Sequence, residues 1–142
     1  MSAEDLRGKS AIVGMATAGM GAAPGFSAME LLGQAAVKAV AEAGLKLQDI
    51  DGVFAATSSH AFPTMSVVEY LGLKPKFFDG TNVGGSSFEM HLLQATLALD
   101  AGLCDAALVV SGTASLECAL LGVPLAEAYP RQEELGRPLR AT

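Results

Sequence analysis

The chain has 142 residues, of which 51% are hydrophobic and 17% charged, and its formal net charge is −6. This length and composition suit one globular domain with a substantial core and exclude disorder along the whole chain. Nine Lys and Arg residues are spread thinly along an acidic sequence, which argues against a nucleic-acid surface, because such a surface needs clustered positive charge.

The sequence also argues against a membrane span, a secretory signal and a metal site. No apolar run approaches the roughly 20 residues that a membrane helix needs. The opening stretch, MSAEDLRGKSAIVG, is acidic and lacks a long apolar core with a cleavage site, so we expect a cytoplasmic protein. Cys104 and Cys118 have neither zinc-type nor disulfide-type spacing. We expect Cys104 to pack as a small apolar residue, with a reactive thiol as the alternative.

Short apolar runs alternate with helical patterns along the first 112 residues. The first two helices should begin at Ser27, in a Ser27-x-x-Glu30 capping box, and at Pro63, and should end at Gly44 and Gly72. The links are short, so the pattern predicts an α/β fold with parallel strands joined by right-handed crossovers. We expect residues 113–142 to form a partly helical, partly loose tail outside this domain. The predicted strands are residues 10–16, 52–57, 76–79 and 105–111.

The third helix, which follows the turn Thr81–Gly85, is predicted to have two apolar sides. Ser86 and Glu89 have the spacing of a capping box, so the helix should begin at Ser86. A helix that covers one face of a sheet needs only one apolar stripe. We therefore expect this helix to lie between two layers, the second supplied by another copy or from outside this sequence. Its first stripe is Phe88, Leu92, Ala95 and Leu99, and its second stripe is Met90, Leu93, Leu97 and Ala101.

The turn before this helix is the candidate for nucleophilic chemistry. Ser86 and Ser87 lie where backbone amides and the helix dipole would stabilise an anion. Alternatively, Ser86 is only the cap and Ser87 only a first-turn residue. His91 is four residues after Ser87 and could bond to it, but we expect a structural histidine at this place in the first turns of the helix. No third group is positioned to orient His91 or the loop residue His60, so a hydrolase triad has no support.

A glycine-rich segment after the first strand raises a different possibility. Gly19-Met20-Gly21 resembles the start of a dinucleotide-binding loop. The next glycine, Gly25, is one position beyond the G-x-G-x-x-G spacing, and Gly19 lies several residues past the strand. A nucleotide-binding α/β domain is therefore only the third hypothesis.

Three stretches resemble the N-terminal half of thiolase-like proteins, in particular the sterol-carrier-protein thiolase and lipid-transfer branch. They are LRGKSAIVGMA, AEAGLKLQDIDGVF and YLGLKPKFFDGTNVGGSSFEMHLLQATLALDAGLCDAALVV, and together they cover roughly residues 6–111. DGTNVGG and AGLCDAALVV are the more specific parts. The resemblance implies a five-stranded βαβαβαββ half that packs on a second half in five layers. The helix after the third strand is then buried between the two sheets.

The same resemblance implies where chemistry would occur. Thiolases carry a nucleophilic cysteine at the start of that helix, in a C-x-S-G setting, and attack a coenzyme A (CoA) thioester there. Counting back from Gly102-Leu103-Cys104-Asp105 places the nucleophile's position at Gly85, so the cysteine is absent. The family's catalytic histidine, second cysteine and most CoA contacts come from the C-terminal half. Some relatives without the nucleophile are CoA-thioester aldolases that work with a small OB-fold partner.

The leading hypothesis is therefore a thiolase-like protein of acyl-CoA or lipid metabolism. The resemblance implies acyl transfer or carbon–carbon bond chemistry on a CoA thioester, with no bound cofactor or metal, at a turn formed by Gly85, Ser86 and Ser87. We expect the chain to be incomplete or inactive alone, and to pair with a copy or with a partner that carries the second half. The alternative is a noncatalytic module that dimerises or docks a missing half.

Overall fold

The computed structural model describes residues 3–19, 23–57, 60–110 and 116–122, which form a five-stranded sheet with α-helices on both faces. The predicted alternation of strands and helices is confirmed as far as the fourth strand. The strands are β1 (Ala11–Ala18), β2 (Gly52–Ala55), β3 (Phe77–Asp79), β4 (Ala107–Val110) and β5 (Leu116–Gly122). The helices are α1 (Ala28–Glu42), α2 (Pro63–Leu71) and α3 (Ser87–Asp100).

The strand order in the sheet is β1-β5-β4-β2-β3. Strands β3, β2 and β4 are parallel, as predicted, whereas β5 lies between β4 and β1 and is antiparallel to both. Residues 116–122 therefore form part of the sheet, although the sequence pattern places them in a partly helical or loose tail. The backbone groups of these residues pair with two neighbouring strands. The sequence LECALLG has no periodic pattern that predicts this pairing. The rest of the predicted tail lies outside the described residues.

The ends of α1 and α2 follow from local sequence. The hydroxyl of Ser27 accepts the Glu30 N–H at 3.2 Å, and the Glu30 carboxylate accepts the Ser27 N–H at 2.7 Å, so the first predicted capping box is confirmed. Pro63 opens α2, where a missing N–H costs nothing. Gly72 ends α2 in a left-handed conformation, with φ of 65°.

Helices α1 and α2 cover one face of the sheet. Gly14 of β1 lies so close to α1 that a Cβ there would overlap the Ala39 carbonyl oxygen. This close approach requires glycine. The polar row Glu30, Gln34, Lys38 and Glu42 is exposed on the outside of α1, as predicted. The core on this face includes Leu32, Ala35, Ala36, Ala39, Val40, Ile50, Val53, Val67, Leu108 and Val110.

Helix α3 covers the other face, where Cys104 packs beside Leu99 and Phe54. The prediction that Cys104 is a packed apolar residue is confirmed. Burial raises the pKa of its thiol to about 11, so the neutral thiol is the form present at neutral pH. The buried residues of this cluster are Phe54, Ala95, Ala98, Leu99, Cys104, Ala107 and Val109.

Only one side of α3 is covered. Ala95 and Leu99 of the first stripe are buried, but Phe88 and Leu92 are only half-buried. The buried face is rotated toward His91, which lies in a polar seam by sequence and is fully buried in the structure. In the second stripe, Met90 is 41%, Leu93 50% and Leu97 36% exposed. The described chain therefore supplies one of the two layers expected around this helix.

Candidate functional site

The turn between β3 and α3, residues 80–86, begins at the carboxyl ends of two parallel strands. The buried Thr64 hydroxyl lies 3.1 Å from the Ala55 carbonyl oxygen at the end of β2 and 3.0 Å from the Asp79 carbonyl oxygen at the end of β3. A Cβ at Gly80 would overlap this hydroxyl and lie 2.7 Å from the Ala55 oxygen. Because Gly80 has no side chain, the backbone that follows β3 can pass close to Thr64 at the start of α2.

Ser87, in the first turn of α3, closes the other end of the turn. Its buried hydroxyl accepts the Val83 N–H at 2.9 Å and donates to the Gly84 carbonyl at 2.7 Å. Gly84 has φ of 86°, a left-handed conformation that favours glycine. The Ser87 hydroxyl therefore holds the turn through one accepted and one donated hydrogen bond.

Two further side chains of α3 hold the first residue after Gly80. The Nε2 atom of His91 accepts the Thr81 N–H at 3.0 Å, and the Gln94 amide donates to the Thr81 hydroxyl at 3.1 Å. Burial lowers the pKa of His91, so its imidazole is neutral at neutral pH. Ser87 and His91 do not bond to each other, because both side chains bond back to the turn, as the structural interpretation of His91 expects.

Gly85 and Ser86 are exposed, like Asn82, Val83 and Gly84 before them. Ser86 precedes the first residue of α3, but its side chain makes no capping hydrogen bond, so the second predicted capping box is wrong. Residues Gly84–Ser86 form a turn of 3₁₀-helix, and Ser86 has φ of −88° and ψ of 8° instead of the extended geometry that aims a cap at the helix amides. A Cβ at Gly85 would meet no atom within 4 Å.

This geometry limits the chemistry that the turn can perform alone. Gly85 has no side chain, Ser87 is buried and already bonded, and His91 is directed to the Thr81 backbone. Among the residues described, no cluster of three or more His, Cys, Asp and Glu side chains could hold a metal ion. The turn thus offers an open position beside a helix start, and no nucleophile paired with a base.

The other candidate residues lie elsewhere. His60 lines a small apolar cavity with Leu32 of α1 and Val67 of α2, on the face of the sheet opposite α3. Gly19 has φ of 67°, and the other two residues of its motif, Met20 and Gly21, lie outside the described residues.

Sequence reasoning did not identify the roles of Thr64, Gly80, Thr81 and Gln94. The sequence did contain one sign of the contacts between α3 and the turn. Ser87, His91 and Gln94 form a polar row at helical spacing, on a helix with apolar residues on either side.

No protein-family model and no curated protein matches this chain. Among solved structures, it is similar to the Ltp2-ChsH2(DUF35) aldolase, with a TM-score of 0.66 and 27% identity over 76% of this chain and 28% of that chain. It is also similar to a Xanthomonas campestris OleA variant bound with cerulenin, with a TM-score of 0.71 and 15% identity over 86% of this chain and 58% of that chain. The chain therefore spans less than two thirds of the length of each.

OleA is a thiolase-like enzyme. The parallel strands β3-β2-β4, with their helices, match the N-terminal half of that fold. The chain has a thiolase-like fold. Within the described residues of this thiolase-like chain, no helix is both long enough and apolar enough to cross a membrane.

Proposed function

We propose that this thiolase-like chain acts on CoA thioesters of acyl-CoA or lipid metabolism, in a site completed by a second half. We further propose that the reaction makes or breaks a carbon–carbon bond beside the thioester, without a covalent acyl-enzyme. The observation that carries this proposal is the turn before α3, which is open at Gly85 and has its buried serine, Ser87, occupied by two hydrogen bonds.

Acyl transfer of the thiolase type needs a nucleophile and a base within hydrogen-bonding reach. Gly85 offers no such group, and the buried Ser87 hydroxyl directs its only proton to the Gly84 carbonyl instead of to a base. The exposed Ser86 hydroxyl has no hydrogen-bonded base among the described residues. These contacts favour a reaction that needs no enzyme nucleophile.

An aldol-type reaction meets this condition. In retro-aldol cleavage of a 3-hydroxyacyl-CoA, the bond between carbons 2 and 3 breaks, a base takes the hydroxyl proton, and carbon 2 gains a proton. The thioester oxygen carries negative charge in the intermediate, and backbone amides at the start of α3 could stabilise it. The space at Gly85 would leave room for the thioester. The 27% identity to a structure described as an aldolase supports the same choice.

The direct test is to assay the chain for retro-aldol cleavage and for thiolysis of acyl-CoAs, alone and after coexpression with a candidate second half or OB-fold partner. We expect cleavage only when the partner is present, with thiolysis at background throughout. Thiolysis by the complex, or an acyl adduct on a serine of the turn seen by mass spectrometry, would contradict the proposal.

A second experiment tests whether Gly85 marks the thioester position. Gly85→Cys places a thiol where a Cβ meets no neighbouring atom, whereas Ser86→Cys places a thiol on the next exposed residue. We expect an acyl-CoA with the assembled complex to acylate the first variant at least about tenfold faster, because orientation of the thioester controls the rate. Equal acylation of the two variants would place the thioester elsewhere.

The exposed side of α3 favours a second candidate, a module that dimerises or docks a second half. Met90, Leu93 and Leu97 present large apolar side chains to solvent along one helix face. Sedimentation should reveal a dimer if a copy covers this stripe. Leu93→Glu should then release monomers, because it places a charge in the covered stripe. Val37→Glu, on the outside of α1, should not. The two side chains make a matched pair because each is 50% exposed in the single chain. A monomer at high concentration would exclude a copy as the covering layer.

A further inference from the structure

His91 is the one residue of the α3 row that can change charge near neutral pH. Its ring is fully buried, with Nε2 accepting the Thr81 N–H at 3.0 Å and Nδ1 having no hydrogen-bond partner among the described residues. A backbone N–H can only donate, so Nε2 must carry the lone pair. The proton of the neutral ring is therefore on Nδ1.

The neighbours of His91 are mostly uncharged. Phe54 of β2 presents its ring, with the ring centres 6.2 Å apart, and Thr81 of the turn presents its N–H. On α3 itself, Ser87 and Gln94 are neutral and also bond to the turn. Asp79, at the end of β3, is the charged group that acts on the ring among the described residues.

We propose that His91 is a positioning residue that holds the turn 80–86 against α3 only while its imidazole is neutral. Protonation would place an N–H on Nε2, directly facing the Thr81 N–H. Two donors would then face each other, one of them fully buried, and neither would be satisfied, so the turn would detach at Thr81. Ser87 would still hold Val83 and Gly84, because its hydroxyl does not titrate in this range.

The direction of the pH effect follows from the surroundings. Burial lowers the pKa of His91 below its ordinary value of 6.5, while the Asp79 carboxylate opposes this shift. A histidine with a depressed pKa in the folded state contributes stability that is present above its unfolded pKa and is lost as the pH falls toward the folded value. The turn should therefore open more often as the pH falls from neutral into mild acid.

Amide hydrogen exchange of the full chain, followed by NMR, tests this proposal without any CoA thioester. After correction for intrinsic rates, the protection of the Thr81 amide should fall about tenfold or more between about pH 7.5 and pH 5. The Val109 amide in β4 should show no such fall. Protection of Thr81 that is independent of pH would overturn the proposal, whatever the activity of the site.

Matched variants separate titration from packing. His91→Gln provides a neutral acceptor, so Thr81 should stay protected at both pH values, whereas Gln94→Leu should keep the pH response of the unmodified chain. An unchanged pH response in His91→Gln would overturn the proposal. If the variants fold poorly, imidazole nitrogen shifts in the unmodified chain decide the matter: Nε2 must be unprotonated at neutral pH, and a protonated Nε2 would refute the mechanism.

Discussion

Helices α1 and α3 cover opposite faces of the same sheet but distribute their side chains in opposite ways. Helix α1 buries Leu32 and small apolar residues and places a polar row in solvent. Helix α3 buries two polar residues, Ser87 and His91, while its second stripe is exposed. Among the described residues, the outer side of α1 is therefore mostly polar, with Val37 as its large exposed apolar side chain. The two buried polar residues of α3 hold the turn 80–86. The exposed apolar side of α3 has the pattern of a surface that another layer covers.

The largest effect should come from comparing the two sides of α3. Leu99→Ala removes a buried side chain that is 1% exposed and should lower the free energy of unfolding by about 2–5 kcal/mol. Leu93→Ala, at a site that is 50% exposed, should change it by less than about 0.5 kcal/mol. Urea unfolding measures both. A large, concentration-dependent loss for Leu93→Ala would mean that another copy covers the second stripe in solution.

The next effect tests how closely the α1 layer is packed. Gly14→Ala should destabilise the chain by about 1–3 kcal/mol, because the added methyl group would overlap the backbone of α1 at Ala39. Gly85→Ala, where the methyl group meets nothing within 4 Å, is the matched control and should be nearly neutral. Thermal unfolding compares them. Equal losses would show that the turn is packed against something the single chain does not contain.

A smaller effect should distinguish the two serines of the turn. Ser87→Ala leaves the Val83 N–H without its acceptor and should cost about 1–2 kcal/mol. Ser86→Ala should cost less than about 0.5 kcal/mol, because the Ser86 side chain makes no capping bond. Equilibrium unfolding in urea gives both values, and the reverse order would restore Ser86 as the helix cap.

The smallest effect concerns the stability of the chain in acid and involves Asp51, which directly precedes β2, at the end of the strand away from the turn 80–86. Burial raises the pKa of Asp51, but the amides of Ala106 and Asp105 and the Lys76 ammonium, 2.7 Å away, outweigh it and lower the pKa below its ordinary 3.8. A depressed carboxyl pKa contributes stability above the unfolded value, and this is lost as the pH falls through the folded value. Asp51→Asn should flatten the loss of stability below about pH 4 and leave the His91 response unchanged. If the loss of stability below about pH 4 were the same in Asp51→Asn, Asp51 would not be its cause.

Local sequence was sufficient for much of the fold. The Ser27 and Glu30 capping box and the Pro63 and Gly72 boundaries involve residues within one or two turns of each other, so their spacing alone predicted the helix ends. The burial of Cys104 followed from its place between a helix and a strand. The uncovered second stripe of α3 was visible in the same way, because helical period determines which residues share a face.

The tertiary structure decided the features that depend on residues distant in sequence. Strand β5 pairs with β1 and β4 along its two edges. The local pattern of residues 116–122 did not predict it, and only the family resemblance implied a fifth strand. Ser87, and not Ser86, closes the turn because the chain enters α3 through a 3₁₀ turn that directs the Ser87 hydroxyl backward. His91 is buried because α3 lies rotated on the sheet. Sequence thus determined the helices and their faces, while packing determined how each face is used.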